Sequence, residues 1–404
     1  MYLVGHKLPS PLNGVCLFGF LTTIMAYMYK TRLYAPGPVE VPPQVLEASA
    51  RPVIHHRTPG FKELFLRTRA RLAEVACVPG DDVLILSASG TAGFEAGLLA
   101  CVPKGAKVVG INAGKFGERW VKLAKGYGFD VAELTLPWGS AARPDAVREF
   151  LQGHPDAQAV MTTHSETSTG VLHDVEALAS VVRETVPDAL FLVDAVTSLG
   201  VSELRPKEWG LDGIFSGSQK GLMTPPGLAF AWLSERAWAR TDDLNPTFYL
   251  DLRKERKQQR AGETAYTPAV SLVAGLEAAL DLLLEEGVEA VWERRETLNK
   301  AVLAGAVALG CKPYAERTSP AVAALYAPDG VAAPDIVKGF SARGMRIAGG
   351  QDDAKPVLFR PSVMGYADRY DALVIVAALE EILLTLGQPV TPGQGLAAAL
   401  GVLG

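Results

Sequence analysis

Short apolar runs alternate with helix-like segments between residues 83 and 233, and this alternation constrains the fold more than any other feature of the chain. The runs contain four to six residues, and most are apolar throughout. Strands that are apolar on both sides are buried on both faces, which is typical of a mostly parallel sheet covered by helices. We therefore predict an α/β fold with strands at residues 83–86, 108–111, 131–134, 159–163, 190–194, 211–215 and 228–233.

Polar turns that contain Gly, Ser or Thr follow several of these strands. The ligands of such sheets bind beyond the carboxyl ends of the strands. We therefore expect a functional site at this edge of the sheet. Three turns carry side chains of chemical interest, at residues 89–91, 164–170 and 216–221.

The chain of 404 residues is long enough for one large unit and a smaller second domain. The alternation stops after residue 233, a long helical stretch begins at Pro268, and a smaller α+β pattern follows it. The chain is predicted to begin with an N-terminal extension at residues 1–30 and an N-terminal arm at 31–50. They are followed by a large domain at residues 51–267, linking helices at 268–309, a small domain at 310–387 and a flexible tail at 388–404.

An apolar run at residues 15–29 lies between Lys7 and Lys30. It is about as long as the core of a signal peptide and shorter than the roughly 20 residues of a spanning helix. No small-residue cleavage pattern follows it. The two interpretations are a weak membrane anchor, or a translation start at Met25 or Met28 that leaves the preceding residues as an extension. We favour the second and expect no membrane partner.

Charge and composition argue against several classes of function. The net charge is −5 and the isoelectric point is near 5.8, so nothing favours a nucleic-acid partner. The four cysteines lack the spacing of disulfide or metal sites, which predicts reduced thiols in a cytoplasmic protein. The histidines form no ligand cluster, because even the adjacent His55 and His56 would point in opposite directions on a strand. We predict no metal site.

A lysine with small neighbours follows one of the apolar runs. Lys220 lies in the sequence Ser-Gly-Ser-Gln-Lys-Gly at residues 216–221, directly after the run that ends at Phe215. Partial burial makes an amine easier to deprotonate, and a neutral amine can form a Schiff base with an aldehyde. Taken alone, these residues fit an ordinary turn equally well.

Two further turns have both a chemical and a structural interpretation. The Ser-Gly-Thr sequence at residues 89–91 opens a predicted helix, where free N–H groups and hydroxyls could bind an anion or simply cap the helix. Asp194 ends a buried strand, where a carboxylate requires a cation or must cap the next turn, at Thr197 or Ser198. The polar loop at residues 164–170 could reach the same place or be only a loop.

Four motifs, taken together, resemble one family. They are the turn at residues 89–91, Thr-His-Ser-Glu-Thr-Ser-Thr-Gly-Val-Leu at 163–172, Leu-Val-Asp-Ala-Val-Thr-Ser-Leu-Gly at 192–200, and the lysine motif at 216–221 with Pro-Pro-Gly at 225–227. This order resembles the class V pyridoxal-phosphate aminotransferases, in particular the alanine–glyoxylate and serine–pyruvate or serine–glyoxylate group. The resemblance covers residues 33–386. It implies fold type I of the pyridoxal-phosphate enzymes, with a mostly parallel seven-stranded sheet in the large domain and a smaller α+β C-terminal domain.

The resemblance implies how this chain holds pyridoxal 5'-phosphate. Lys220 would carry the cofactor as an imine, and Asp194 would pair with the nitrogen of its pyridine ring. A protonated ring withdraws electrons from the bound amino acid. Thr167 would form a hydrogen bond to the phenolic oxygen, and Phe116 would stack on the pyridine ring. The residues that would hold the phosphate are Ser89, Gly90, Thr91 and Gln219.

The resemblance also implies a substrate-binding residue. Arg360 matches the arginine that binds the substrate carboxylate, for which paired N–H donors are suited. Arg343 and Arg346 are the alternatives, and each of the three could instead form a surface ion pair. Gly37, in the N-terminal arm, matches a residue whose backbone lies near the substrate.

A second subunit is implied by residues 264–268. One or more of Thr264, Tyr266 and Thr267 would reach the cofactor phosphate of the neighbouring subunit. The expected active unit is therefore a homodimer with shared active sites.

The implied reaction transfers the amino group of alanine or serine to glyoxylate or pyruvate. Three alternatives remain: a phosphonate aminotransferase, a cysteine desulfurase and a non-catalytic subunit of a larger complex. A desulfurase requires a mobile nucleophilic cysteine in the small domain, where Cys311 is the only candidate. The presence of both Asp194 and Lys220 argues against the loss of catalysis.

Overall fold

A computed structural model describes residues 29–241 and 247–404. The predicted N-terminal extension, apart from Tyr29 and Lys30, lies outside these residues, as does almost all of the apolar run. Within the described ranges, none of the helices has both the length and the apolar character needed to span a membrane.

The helices and strands are numbered in chain order. The helices are α1 Pro43–Ser49, α2 Pro59–Val75, α3 Gly90–Cys101, α4 Lys115–Gly126, α5 Pro144–Gln152, α6 Val175–Thr185, α7 Glu235–Trp238, α8 Leu252–Arg260, α9 Val270–Glu286, α10 Val288–Ala308, α11 Ala333–Ala342, α12 Arg369–Thr385 and α13 Gln394–Leu403. The strands are β1 Arg32–Leu33, β2 Val83–Leu86, β3 Lys107–Asn112, β4 Asp130–Thr135, β5 Ala159–Thr163, β6 Ser165–Glu166, β7 Val171–Leu172, β8 Leu190–Asp194, β9 Gly213–Gly217, β10 Ala229–Leu233, β11 Lys312–Pro313, β12 Leu325–Tyr326, β13 Met345–Arg346, β14 Ala348–Gly349 and β15 Leu358–Arg360.

The large domain is built on a seven-stranded sheet with the order β2-β10-β9-β8-β5-β3-β4. Strand β10 is antiparallel to both of its neighbours, and the other neighbouring pairs are parallel. The predicted α/β fold with a mostly parallel seven-stranded sheet is confirmed. Thr163, Asp194 and Phe215 are in register on three adjacent strands, so the turns that follow them lie side by side.

Alternating residues of the central strands pack into apolar layers on opposite faces of this sheet. Phe191 and Val193 of β8 belong to one buried cluster, while Leu190 and Leu192 belong to the other. Both layers are closed by helices, which is why these strands are apolar at every position rather than at every second one. This explains the pattern from which the fold was predicted.

The small domain has a four-stranded antiparallel sheet with the order β11-β12-β15-β14 and the helices α11 and α12. It has its own apolar core, which includes Phe340 of α11 and Phe359 of β15. The predicted smaller α+β unit is confirmed. Its strand β15 ends at Arg360, on the side of the large domain.

The N-terminal arm connects the two units. Strand β1 pairs in parallel with β13 of the small domain, and the Tyr34 hydroxyl donates a hydrogen bond of 2.8 Å to Asp371. A few residues later the Val39 N–H donates to the Gln219 carbonyl of the large domain at 3.2 Å. The arm therefore crosses from one unit to the other beside Lys220.

The C-terminal residues 388–404 differ from the predicted flexible tail, because they contain helix α13. Leu396, Ala399 and Leu403 pack on the small-domain core. The Glu380 carboxylate accepts hydrogen bonds from the N–H groups of Gly393 at 2.6 Å and Gly395 at 3.0 Å, which anchors the start of the helix. The prediction missed this because the high content of small residues concealed an apolar face with helical spacing.

Candidate active site

A cavity of about 330 Å³ lies at the carboxyl ends of the central strands. It brings together seven of the site residues predicted from the sequence. Its lining residues are Ser89, Gly90, Thr91, Phe94, Phe116, Arg119, Trp120, Ser165, Asp194, Val196, Thr197, Gln219 and Lys220.

Lys220 follows β9 and is only 9 % exposed. Its Nζ donates a hydrogen bond to the backbone carbonyl of Pro36 in the N-terminal arm. Burial lowers the pKa of this amine to about 8, although the nearby Asp194 carboxylate opposes the shift. Near this pH a sizeable fraction of the amine is therefore neutral, whereas a lysine with its ordinary pKa would be almost fully charged.

Gly37 lies against the Lys220 side chain. A Cβ at this position would overlap the lysine, and its φ of +100° also favours glycine. The predicted closeness of the Gly37 backbone to the reacting groups therefore agrees with the geometry of the arm. Any other residue at position 37 would displace either the arm or the amine.

Asp194 ends β8 and faces the same cavity. Its Oδ1 accepts a hydrogen bond of 2.8 Å from the Val196 N–H, so it does cap the next turn, and its Oδ2 accepts one of 3.1 Å from the Trp120 indole. Burial raises the pKa of this carboxyl, against the lowering effect of the two hydrogen bonds. A cation in the cavity would relieve the cost of ionising Asp194.

The turn at residues 89–91 forms another wall of the cavity. Ser89 occupies the N-cap position of α3, but its side chain makes no capping hydrogen bond, so the hydroxyl remains available to a ligand. The first N–H groups of a helix have no partner within the helix and attract anions. A Cβ on Gly90 would come within 2.9 Å of Val196, and one on Gly217 within 2.9 Å of Gln219 Oε1. These glycines keep the turn close to the Gln219 side chain.

The polar loop at residues 164–170 supports the cavity from behind. The Thr167 hydroxyl donates a hydrogen bond of 2.9 Å to Thr197, which lines the cavity, whereas Thr167 itself is buried behind it. Glu166 is fully buried and accepts hydrogen bonds from the N–H groups of Phe116 at 3.1 Å and Gly117 at 2.9 Å. This carboxylate fixes the start of α4, and with it the Phe116 ring at the cavity wall.

Arg360 reaches this loop from the small domain and is 5 % exposed. Its Nη1 donates to the Thr167 carbonyl at 2.6 Å and its Nε to the Gly349 carbonyl at 2.9 Å. Burial lowers the pKa of this guanidinium to about 10, so Arg360 stays charged at neutral pH. Arg343 instead bonds to Glu381 at 3.0 Å on the outer side of the small domain, and Arg346 is exposed.

Thr264 and Thr267 do not contribute to the cavity of their own chain. They line a separate narrow groove together with Tyr266, Tyr249 and Ser87. The Thr264 hydroxyl donates a hydrogen bond of 2.5 Å to the Tyr266 carbonyl. Their role at a neighbouring subunit therefore stays a prediction.

Several residues of the site were not assigned roles from the sequence. The Pro36 carbonyl, the Trp120 indole and the Arg119 guanidinium lie close in sequence to Gly37 or Phe116, which have predicted roles, but these three residues carry no recognisable signal of their own. Glu166 lies within the motif at residues 163–172, so its position there was the one available signal. Pro36, Trp120 and Glu166 act through contacts between segments distant in sequence.

The residues of the cavity fit pyridoxal phosphate. Lys220 offers a buried amine of lowered pKa for the aldehyde. Asp194 offers a buried carboxylate that is stabilised by a protonated ring nitrogen. The start of α3 and the uncapped Ser89 hydroxyl offer donors to a phosphate group.

Comparison with known proteins agrees with this geometry. The model of the family described as Aminotransferase class-V matches residues 40–368. A protein of Synechococcus sp. named soluble hydrogenase, small subunit, is 42% identical over 93% of this chain and 98% of its own length. The serine–glyoxylate aminotransferase of Methylorubrum extorquens is 32% identical over 93% of this chain and 96% of its own length.

Solved structures show the same similarity. The aspartate aminotransferase of subgroup IV from Thermus thermophilus superimposes with a TM-score of 0.83 and is 40% identical in sequence. The match covers 88% of this chain and 99% of that protein. The cavity, the fold and these similarities lead to one conclusion: the chain belongs to the class V aminotransferases, enzymes that use pyridoxal phosphate to transfer amino groups.

Proposed function

We propose that this enzyme transfers the amino group of a small amino acid, alanine or serine, to glyoxylate or pyruvate. The observation that carries the proposal is the shared cavity of Lys220 and Asp194, with Arg360 bonded to the loop behind it. The serine–glyoxylate aminotransferase of Methylorubrum extorquens supports the choice of substrates.

In the proposed mechanism, pyridoxal phosphate supplies an electron sink for the bond that breaks at the α-carbon of the amino acid. Asp194 holds a proton on the ring nitrogen, because its buried carboxylate is stabilised by that positive charge. Lys220 Nζ would hold the cofactor, and as a free amine it would take the proton from the α-carbon of the amino acid and later return it. A pKa of about 8 suits this amine to accepting and returning a proton near neutral pH.

The other residues orient the cofactor and the substrate. We assign the phosphate to Ser89, Gly90, Thr91 and Gln219, whose donors surround the start of α3. Thr167 acts with Thr197 at the phenolic oxygen, and Phe116 covers the ring. Arg360 would hold the substrate carboxylate, and the backbone at Gly37 lies beside the Lys220 amine, where it would be near the reacting atoms.

A screen of amino donors against glyoxylate and pyruvate tests the substrate assignment. The proposal expects alanine or serine to react fastest with one of the two acceptors. Turnover of a phosphonate donor in preference to both would overturn the assignment without affecting the class of enzyme.

A second candidate donor is aspartate, as the name of the Thermus thermophilus relative indicates for that protein. Arg119 lines the cavity, with its guanidinium 4.9 Å from the centre of the Phe116 ring. It forms no ion pair with any residue that the structure describes. A free guanidinium could receive the second carboxylate of a dicarboxylic substrate, so aspartate belongs in the donor screen.

Replacing Arg360 with alanine is expected to raise the KM for both the amino acid and the oxo acid by about 100-fold, roughly 3 kcal/mol, since each substrate loses the same charged partner. Steady-state kinetics of both half-reactions measures this. Arg343→Ala is the matched control, because Arg343 bonds to Glu381 outside the cavity. If KM were unchanged in Arg360→Ala and raised in Arg343→Ala or Arg346→Ala, the binding of the substrate carboxylate would have to be assigned to that other arginine.

The observations do not favour the alternative functions. Cys311 is 2 % exposed, and burial raises the pKa of its thiol to about 12, which does not suit the nucleophile of a desulfurase. The Synechococcus protein has the name of a hydrogenase subunit, but the site retains Lys220, Asp194 and Arg360. A catalytic role therefore explains the residues better than a purely structural one.

We further propose a homodimer with shared active sites. Thr264, Tyr266 and Thr267 lie in a groove away from the Lys220 cavity of their own chain, and Phe248 beside them is 81 % exposed. A partner subunit would cover this surface and bring the segment to a second cavity. Apart from the flexible tail, which contains helix α13, we also retain the predicted domain boundaries as a proposal. A cytoplasmic location is a further proposal, supported by the free thiols of Cys77 and Cys101.

Mixed dimers test the sharing of sites. Lys220→Ala and a Thr264→Val/Thr267→Val variant are each expected to have low activity alone. Random pairing of the two should restore about a quarter of the wild-type activity, because half of the dimers then contain one site with both sets of native residues. The two purified variants are mixed, their dimers are dissociated and allowed to reassociate, and the activity of the product is measured. No recovery in demonstrated mixed dimers would contradict a shared site.

A further inference from the structure

A second cavity, of about 640 Å³, lies on the other side of the loop that supports the active site. Its walls come from the segment at residues 172–176, the loop at residues 201–209, helix α10 and residues 317–320. We call it the rear cavity. The two cavities share one wall, because Ser165 lines the active-site cavity and the adjacent His164 lines the rear cavity.

Buried polar atoms without partners are concentrated around the rear cavity. Five of its lining side chains have such an atom, and each of the five residues is at least nine-tenths buried. The atoms are His164 Nδ1, His173 Nε2, Ser202 Oγ, Trp292 Nε1 and Asn299 Oδ1. Buried polar groups in folded proteins are nearly always hydrogen-bonded to protein, water or ligand. Their concentration in one place indicates a site for a polar molecule.

The chemistry of these atoms is partly fixed by their other contacts. His173 Nδ1 accepts a hydrogen bond of 3.0 Å from the Ala142 N–H, so its Nε2 carries the proton and is a donor. Asn299 donates at 3.1 Å to the Ser319 carbonyl, which leaves its own oxygen as an acceptor. Burial lowers the pKa of His164 to about 3 and of His173 to about 4, so both are neutral at pH 7. The buried wall therefore offers donors and acceptors without charge.

The charge of the rear cavity comes from its rim, where carboxylates outnumber cations. The three lining cations are already paired: Arg317 with Asp174 at 2.9 Å, Lys300 with Glu296 at 2.7 Å, and Arg205 with Glu203 at 2.7 Å. Arg205 also lies 3.4 Å from Glu289.

Two rim carboxylates remain available. Glu176 and Glu293 form no ion pair in the described part of the chain. The rim is therefore net negative and has two carboxylates that could bind a further positive charge.

Aromatic rings in the walls favour an organic cation. Trp209 and Trp292 both line the rear cavity, and the Arg205 guanidinium already lies 5.2 Å from the centre of the Trp292 ring. Indole faces attract alkylammonium groups by the same electrostatic interaction. We propose that the rear cavity binds a small organic cation of the alkylammonium class, with its charge between Glu176, Glu293 and the Trp209 indole and its polar end toward the buried wall.

Choline is a suitable probe, since it has a quaternary nitrogen that cannot react with pyridoxal phosphate and a hydroxyl for the buried wall. Its uncharged carbon isostere, dimethylbutanol, is the matched ligand control. Isothermal titration of the full-length holoenzyme at constant ionic strength is expected to show saturable binding of choline and much weaker binding of the isostere. Equal affinity for the two would overturn the proposal, as would a lack of saturable choline binding.

Variants of the rim locate the site. Glu293→Gln is expected to weaken choline binding about two- to five-fold, and Glu176→Gln/Glu293→Gln by roughly the product of two such factors. Glu285→Gln, on an exposed position of helix α9 outside the rear cavity, is the control and should bind as wild type. Equal weakening in all three variants would mean a general charge effect and would contradict the assignment. Transamination assays of the same variants stay unchanged, so the outcome is independent of the proposed function.

Discussion

Lys220→Ala is expected to abolish transamination, with a loss of about 10⁴-fold in kcat. Both the attachment of the cofactor and the movement of the α-proton depend on the same amine, and proton transfer by a positioned group alone contributes up to about that factor. The purified wild-type protein should be yellow, and the visible absorbance of the lysine-bound cofactor should disappear in the variant. Absorbance spectra and an assay of alanine or serine with glyoxylate measure both effects.

The structure offers a direct control for this experiment. Lys115 lies at the start of α4 near the same cavity, but it is paired with Glu118 and Asp352 rather than turned toward the cofactor site. Lys115→Ala should keep the absorbance. If Lys220→Ala still converted alanine or serine at a rate near that of the wild type, the assignment of the catalytic lysine would be wrong.

Asp194→Asn is the second change with a large expected effect, about 10³-fold in kcat. The amide keeps the shape of the carboxylate but cannot hold a proton on the ring nitrogen, so an electrostatic stabilisation of the reacting state is lost. Single-turnover kinetics with the bound cofactor measures this step directly. A kcat within a few-fold of wild type would exclude the proposed role of Asp194.

The same variant tests the pH dependence of the stability of the cofactor-free protein. The pKa of Asp194 is raised in the folded state, so the folded protein binds the proton more tightly than the unfolded chain does. The contribution of Asp194 to stability therefore becomes less favourable as the pH rises from its ordinary pKa through the raised value. Asn cannot ionise, so the unfolding temperature of cofactor-free Asp194→Asn should increase relative to that of cofactor-free wild type as the pH rises through this range, as differential scanning calorimetry can show. The amide of Asn can accept only one of the two hydrogen bonds that Val196 and Trp120 donate, so the test is the change with pH and not the absolute stability at one pH.

Local patterns were sufficient to predict the sheet and the edge at which the candidate active site lies. Strand β8 is apolar at each position before Asp194 because both of its faces are buried, and such a run is recognisable without knowledge of its neighbours. Lys220 and Asp194 were found in the same way, as polar residues at the ends of such runs.

Contacts between distant segments could not be predicted in this way. The Pro36 carbonyl reaches Lys220 only because the arm crosses the molecule, and Trp120 reaches Asp194 only because α4 packs on β3 and β5, next to β8 in the sheet. Helix α13 was missed for a related reason, because Gly395 and its neighbours are held in place by packing on the surface of the small domain. Such features depend on the assembled fold rather than on any single segment.

The N-terminal arm has a practical consequence for expressing the protein. Strand β1 begins at Arg32, and the arm reaches the Lys220 amine only a few residues later. A chain that starts at Met25 or Met28 retains every described contact of the arm. A truncation that removes residues up to Tyr34 would instead remove both β1 and the Tyr34–Asp371 hydrogen bond, and with them the attachment that brings the Pro36 carbonyl to the amine. Affinity tags and protease sites therefore belong upstream of Arg32.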